Sequence, residues 1–362
     1  MFSLVSYYLA DTFKTYVFTN IIDNLSNKTN NISIDSLEDT LKKADDLGID
    51  YLVCRSFGNK DDYDLLKNYK TKIVIWSHNF SKFKELNWIS NSNSVIKYVC
   101  VGKHQFDLLN GHPIYKKATY IFNGLPIYAY KIDEKNSNKA ICYVGSIIKG
   151  KGFDTCCKVW RELYDNGYKV DFNIIGSAKL YNSSKTLGKY GIASPEYEQE
   201  FIKYLIDDDG KLIKQVKLYG VLGHKEKIDV INKSYLGLSA SEEETFGLIA
   251  LEFALLGKPF VALETCGYKD IVINGKTGFI VKNEDELYDM CVKILSVENQ
   301  KYMNMSDNST VEARKFDIKT LANDWKNLFI GLNKNEELLN RNERIGLFKR
   351  IYNIIGIALN KR

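Results

Sequence analysis

Two glutamates, Glu244 and Glu252, stand eight positions apart on either side of Thr245-Phe-Gly-Leu-Ile-Ala-Leu251. A helix beginning near Gly247 offers free N–H groups and the positive end of its dipole to an anion. Gly247 carries no side chain to block a ligand's approach to the backbone, and Thr245 is the expected N-cap. Phe246, Ile249, Ala250, Phe253 and Ala254 recur with helical period and mark a core-facing stripe. Gly257 and Pro259 then stop the helix. Glu252 falls about six residues inside it, roughly 9 Å along the axis. That span is comparable with the reach from a pyrophosphate to a ribose. One carboxylate can therefore face a sugar while the other accepts hydrogen bonds from ribose hydroxyls. Taken alone, the same residues also fit a solvated acidic run at 242–244 followed by a surface glutamate.

The elements that must position these residues alternate along the chain. Short apolar runs at Asn31–Asp35, Asp50–Cys54, Lys72–Trp76, Lys97–Val101 and Thr119–Phe122 read as strands, with helical stretches between them. A helical stripe is expected over residues 11–26, on Phe13, Tyr16, Val17, Ile21 and Leu25. A polar stretch at 133–139 reads as a linker. A second alternation follows, with strands at Ala140–Val144, Val170–Ile175, Val216–Tyr219, Leu236–Ser239, Phe260–Leu263 and Phe279–Val281. The expected fold class is α/β, with two Rossmann-like doubly wound domains facing a cleft and ligands beyond the carboxyl ends of the strands.

Composition narrows the field. The 362 residues, 45% hydrophobic and 26% charged, suit two ordinary globular domains. No apolar run is long enough for a membrane-spanning helix. The opening segment Met1–Tyr8 lacks a basic region and a clear cleavage site, so no secretory signal is expected. Seven scattered cysteines without a Cys-x-x-Cys pair point to free thiols in a reducing, cytoplasmic compartment. Cys156 and Cys157 read as helix packing. Four histidines show no metal-ligand spacing. The net charge of +5 is concentrated in residues 341–362, where six cations face Glu343 alone. A broad basic face for nucleic acid is thus disfavoured.

The segment from Ala240 to Pro259 resembles the retaining glycosyltransferases of family 4, the glycosyl transferases group 1, whose hallmark is Glu-x7-Glu followed by Gly-x-Pro. Cys266–Asp270 and Asn274–Val281 resemble that family's following loop and its turn and strand. Gly145-Ser-Ile-Ile-Lys-Gly-Lys-Gly152 resembles its donor-diphosphate loop, with Lys151 on the lysine position and Ser146 where an arginine usually stands. Lys149 is the candidate to compensate. Asn123-Gly124, Val99–His104 and Gly176–Ala178 resemble further family turns.

The resemblance implies a GT-B fold, a nucleotide-sugar co-substrate (a UDP-sugar favoured), retention of anomeric configuration, and no metal or other cofactor. It implies that Glu252 holds the ribose and that Glu244 contacts the transferred sugar. Lys151, with Gly145 and Ser146 in its loop and Thr245, Phe246, Gly247 and Leu248 at the helix start, would hold the diphosphate. Gly220, Val221 and Leu222 would meet the base, and His78 would lie at the reacting centre. His104, His112 and His224 have no comparable context. The family opens on a strand with a glycine-rich loop, whereas no glycine precedes Gly48 here.

The domains expected are a shortened acceptor domain over 1–132, a nucleotide-sugar domain over 139–315, a crossover helix over 316–331 and a basic amphipathic tail over 333–362. Ile345, Phe348, Ile351, Tyr352, Ile355 and Leu359, flanked by cations, suit either peripheral contact with an anionic membrane or packing on the first domain. The acceptor expected is a glycan or a lipid-linked glycan of surface polysaccharide or glycolipid synthesis. The rival is a non-catalytic sugar-nucleotide-binding or membrane-associated partner with a degenerate donor site.

Overall fold

Parallel strands buried on both faces read as unbroken apolar runs, and Ile73-Val-Ile-Trp76 and Leu236–Ser239 show the pattern: each residue is buried. The computed structural model describes residues 1–20, 26–132, 139–180, 184–265 and 267–334. Most of the 133–139 linker, Cys266, Ile21, Leu25 and the basic segment 341–362 lie outside the described residues.

One unit holds residues 1–125 together with 316–334. Its strands are β1 (Tyr16–Thr19), β2 (Asn30–Ser33), β3 (Tyr51–Cys54), β4 (Lys72–Ser77), β5 (Val95–Cys100) and β6 (Ala118–Tyr120). They form two sheets, β1-β2 and β3-β4-β5-β6, with every pairing parallel. Residues 11–20 and 26, the described part of the expected helix over 11–26, are not helical. The helix lies upstream at Phe2–Leu9, and Tyr16-Val-Phe-Thr19 is a strand. Aromatic and β-branched residues favour a pleated surface, so the helical spacing there was coincidental. The unit thus opens on a helix rather than on a strand with a glycine loop. A groove of about 1180 Å³ is lined by β1, β3 and side chains including Phe2, Arg55, Trp76 and Trp325. The helix Ile318–Asn333 packs in the same unit, with Trp325 edge-on to Trp76 at 4.9 Å. Asn333 closes this helix rather than opening a tail.

The other unit, Pro126–Lys315, contains β7 (Ala140–Val144), β8 (Asp171–Ile175), β9 (Val216–Gly220), β10 (Leu236–Ser239), β11 (Phe260–Leu263) and β12 (Gly278–Val281). These form a single parallel sheet in the order β12-β11-β10-β7-β8-β9. The helix Phe153–Asp165 buries Phe153, Cys156, Cys157, Trp160 and Leu163 against it. Trp160 stacks on Phe172, and its indole N–H donates to the Val170 carbonyl at 3.0 Å.

Candidate active site

In the second unit the chain builds β8 and β9 on one side of β7, then returns to lay β10 on the other. The loops leaving β7 and β10 therefore diverge, and the crevice at such a reversal is where open α/β sheets bind ligands. Both loops carry predicted site residues. They are held close: the Glu242 N–H donates to the Gly150 carbonyl at 3.1 Å. Gly152 adopts φ 59°, and a Cβ there would lie 2.1 Å from the Ala240 carbonyl oxygen, so only glycine allows this approach. Across the reversal the Lys151 ammonium meets Glu244 Oε1 at 2.6 Å and the Glu243 carbonyl at 3.3 Å.

The helix that follows runs from Leu248 to Leu255, with Gly247 as its N-cap at φ 84°. Thr245 is therefore not the cap, and Phe246 precedes the helix and is buried in the core. The left-handed Gly247, closely backed by the Tyr268 ring, makes the turn that a threonine cap would have made earlier in the chain. Glu244 is fixed from behind, its carbonyl accepting from the Gly267 N–H at 2.8 Å. The helix is not an amphipathic stripe, because every residue from Ala250 to Leu255 is buried. Leu256 and the left-handed Gly257 end it.

With the later start, Glu252 is the fifth helical residue, about 6 Å along the axis from Leu248 rather than 9 Å. It is 5% exposed. Its Oε1 accepts from the Tyr130 hydroxyl at 3.1 Å and from the Lys227 ammonium at 2.5 Å. Its Oε2 is buried without a hydrogen-bond partner. Burial, and then the charge of Glu252, raise the Tyr130 phenol well above its ordinary pKa. The sequence reading missed both Tyr130 and Lys227. They lie 122 and 25 residues from Glu252, and neither occurs in a pattern that marks it.

The loop after β7 departs from expectation. Ser146 is buried, and its hydroxyl points to the Ser177 carbonyl at 3.5 Å. Lys149, the candidate to compensate, pairs with Glu200 at 2.8 Å in an exposed position. The Gly145 N–H donates to the Ile175 carbonyl. At the end of β9, Gly220 turns at φ 66° and accepts from the Gly176 N–H at 2.7 Å. Val221 beyond it is exposed and Leu222 half-buried. This turn leads into the helix His224–Asn232, which carries Lys227.

His78 belongs to the first unit, just past β4. Its ring lies 4.6 Å from that of Trp76 and 5.6 Å from that of Phe2. Burial foremost, then Arg55 and the terminal amine, lower its pKa to about 4, which keeps the imidazole neutral near pH 7. Among the described residues no cluster of three or more His, Cys, Asp or Glu is placed to hold a metal ion. No helix of the described residues is long and apolar enough to cross a membrane.

The family model for glycosyl transferases group 1 matches residues 128–312, the stretch that contains this crevice, and the chain belongs to that family. The solved sucrose-phosphate synthase from Thermosynechococcus elongatus superposes with a TM-score of 0.74 at 13% identity, covering 92% of each chain. The structure of HepE from Anabaena in complex with UDP and glucose gives a TM-score of 0.68 at 14% identity, covering 91% of this chain and 95% of that one. The fold is GT-B, built from Rossmann-like α/β domains. Among curated proteins, the capsular polysaccharide biosynthesis glycosyltransferase CapM of Staphylococcus aureus is 28% identical over 160 residues, 43% of this chain and 37% of CapM. The chain spans half or less of the length of its first curated relatives.

Proposed function

We propose that this protein is a retaining glycosyltransferase that moves a sugar from a nucleotide-sugar donor, a UDP-sugar by preference, to an acceptor hydroxyl in surface polysaccharide or glycolipid synthesis. One observation carries this reading. Both glutamates of the Glu-x7-Glu segment flank the start of one helix at the sheet's reversal point, each held by a lysine. In this reading Glu252 accepts the ribose hydroxyls and Glu244 those of the transferred sugar. Lys151 and the N–H groups of the first helical turn take up the charge that grows on the leaving diphosphate as the anomeric C–O bond breaks. Gly220–Leu222 meet the base. His78, neutral, orients the sugar at the reacting carbon.

The UDP preference is supported by the UDP-bound structural neighbour, and the polysaccharide role by the CapM relative. The aromatic groove of the first unit, with Arg55 at its wall, suits a lipid-linked acceptor with a charged head. Six described cysteines are free, which supports a cytoplasmic setting.

Thermal unfolding with UDP, GDP and ADP tests the donor site. A nucleotide at about 100 times its dissociation constant stabilises the fold by roughly 2.7 kcal/mol. The stabilisation is expected with UDP and is lost in Glu252→Ala. No shift with any of the three would overturn the reading.

A further inference from the structure

The β7 loop brings one cation fewer than its resemblance implies, because the buried Ser146 stands where an arginine is usual. A diphosphate there would meet one cation, Lys151, beside the N–H groups of the first helical turn. Lys227 rises from the helix that follows the Gly220 turn, and its side chain is 20% exposed against a Glu252 side chain that is 7% exposed. The two ion pairs are counterparts. Lys151 holds Glu244 just before the helix Leu248–Leu255, and Lys227 holds Glu252 about one turn inside it.

We propose that Lys227 is a second diphosphate-binding residue, which leaves Glu252 for the phosphates when a nucleoside diphosphate enters. The proposal rests on the donor-site reading above. In the exchange Glu252 trades a charged donor for neutral hydroxyl donors, and its Oε2, which has no partner in the free protein, is open to the second ribose hydroxyl. A ribose hydroxyl donates to Glu252 in place of the ammonium, the Tyr130 hydroxyl keeps its bond to Oε1, and the ammonium gains an anion. Glu252 lies about 6 Å along the axis from the helix start at Leu248, within the swing of a four-carbon stem. A permanent counter-ion would leave Glu252 Oε1 saturated and the nucleotide's negative charge facing one lysine.

The test compares UDP with uridine by titration calorimetry on the full chain, repeated with the GDP–guanosine and ADP–adenosine pairs. Lys227→Met is expected to weaken UDP by about tenfold or more, the scale of a lost charge-assisted hydrogen bond. It should leave uridine within about twofold, and Lys227→Arg should restore most of the UDP affinity. Equal weakening of UDP and uridine would overturn the proposal and make Lys227 a fixed counter-ion of Glu252. No change in either would deny it any role. Failure of the wild-type chain to bind any of the three diphosphates would overturn the donor-site reading and this assignment with it. Should Lys227→Met fail to fold, the double variant Lys227→Met, Glu252→Gln removes the buried charge. Its UDP-to-uridine affinity ratio, set against Glu252→Gln alone, decides the question in the same way.

Discussion

The two units use similar strands to different ends. In the second, six parallel strands form one sheet with its reversal between β7 and β10, and two lysine–glutamate pairs hold the glutamates that follow β10. In the first, six parallel strands divide into sheets of two and four, and His78 lies among aromatic rings as a neutral base. One region holds its charge in lysine–glutamate pairs. In the other, burial foremost keeps the His78 imidazole neutral near pH 7.

The largest effect expected comes from the aromatic region. Trp325→Ala removes a 1% exposed ring packed on Trp76 and Phe329. It should cost about 3–5 kcal/mol in urea unfolding while leaving UDP affinity nearly unchanged. A matching loss of UDP affinity would break the contrast drawn above. Next, Lys151→Ala should weaken UDP by about tenfold to a hundredfold, measured by calorimetry. An unchanged affinity would remove the charged half of the comparison.

A pH series sharpens the other half. The folded His78 pKa of about 4 lies below the unfolded value of 6.5. Between those pH values the unfolded chain binds a proton that the folded chain refuses. Stability contributed by this site is therefore intact above pH 6.5, declines as the pH falls, and is fully lost below about 4. His78→Phe should flatten that part of the stability–pH curve, and an unaltered curve would contradict the neutral-base assignment. The smallest effect belongs to Lys149→Ala. An exposed ion pair contributes about 0–1 kcal/mol, so stability should barely move and UDP affinity should hold. A clear loss of affinity would return Lys149 to the donor site.

The strands were the most legible part of the fold. Leu236–Ser239, Phe260–Leu263 and Ala140–Val144 lie where the apolar runs placed them, because burial on both faces leaves an uninterrupted signal. Residues 16–19 misled, since a four-residue strand gives too few positions to separate a period of 2 from one of 3.6. The two motif glutamates and Lys151 were legible as candidates, but their partners were not.

The amino-acid order determined the local chemistry by itself: the Glu-x7-Glu spacing, the glycine-lysine loop after a strand, and a helix stopped by Gly257 and Pro259. Each depends on neighbours within a few turns, and short-range sterics and capping encode such features directly. Only the tertiary structure decided that Gly247 rather than Thr245 starts the helix, because that choice is coupled to Tyr268 packed behind the turn. It also decided that Lys151 meets Glu244 across 93 residues, and that Tyr130 and Lys227 converge on one oxygen of Glu252. Those contacts follow from the order in which strands join the sheet, and no local pattern records which loops that order brings together.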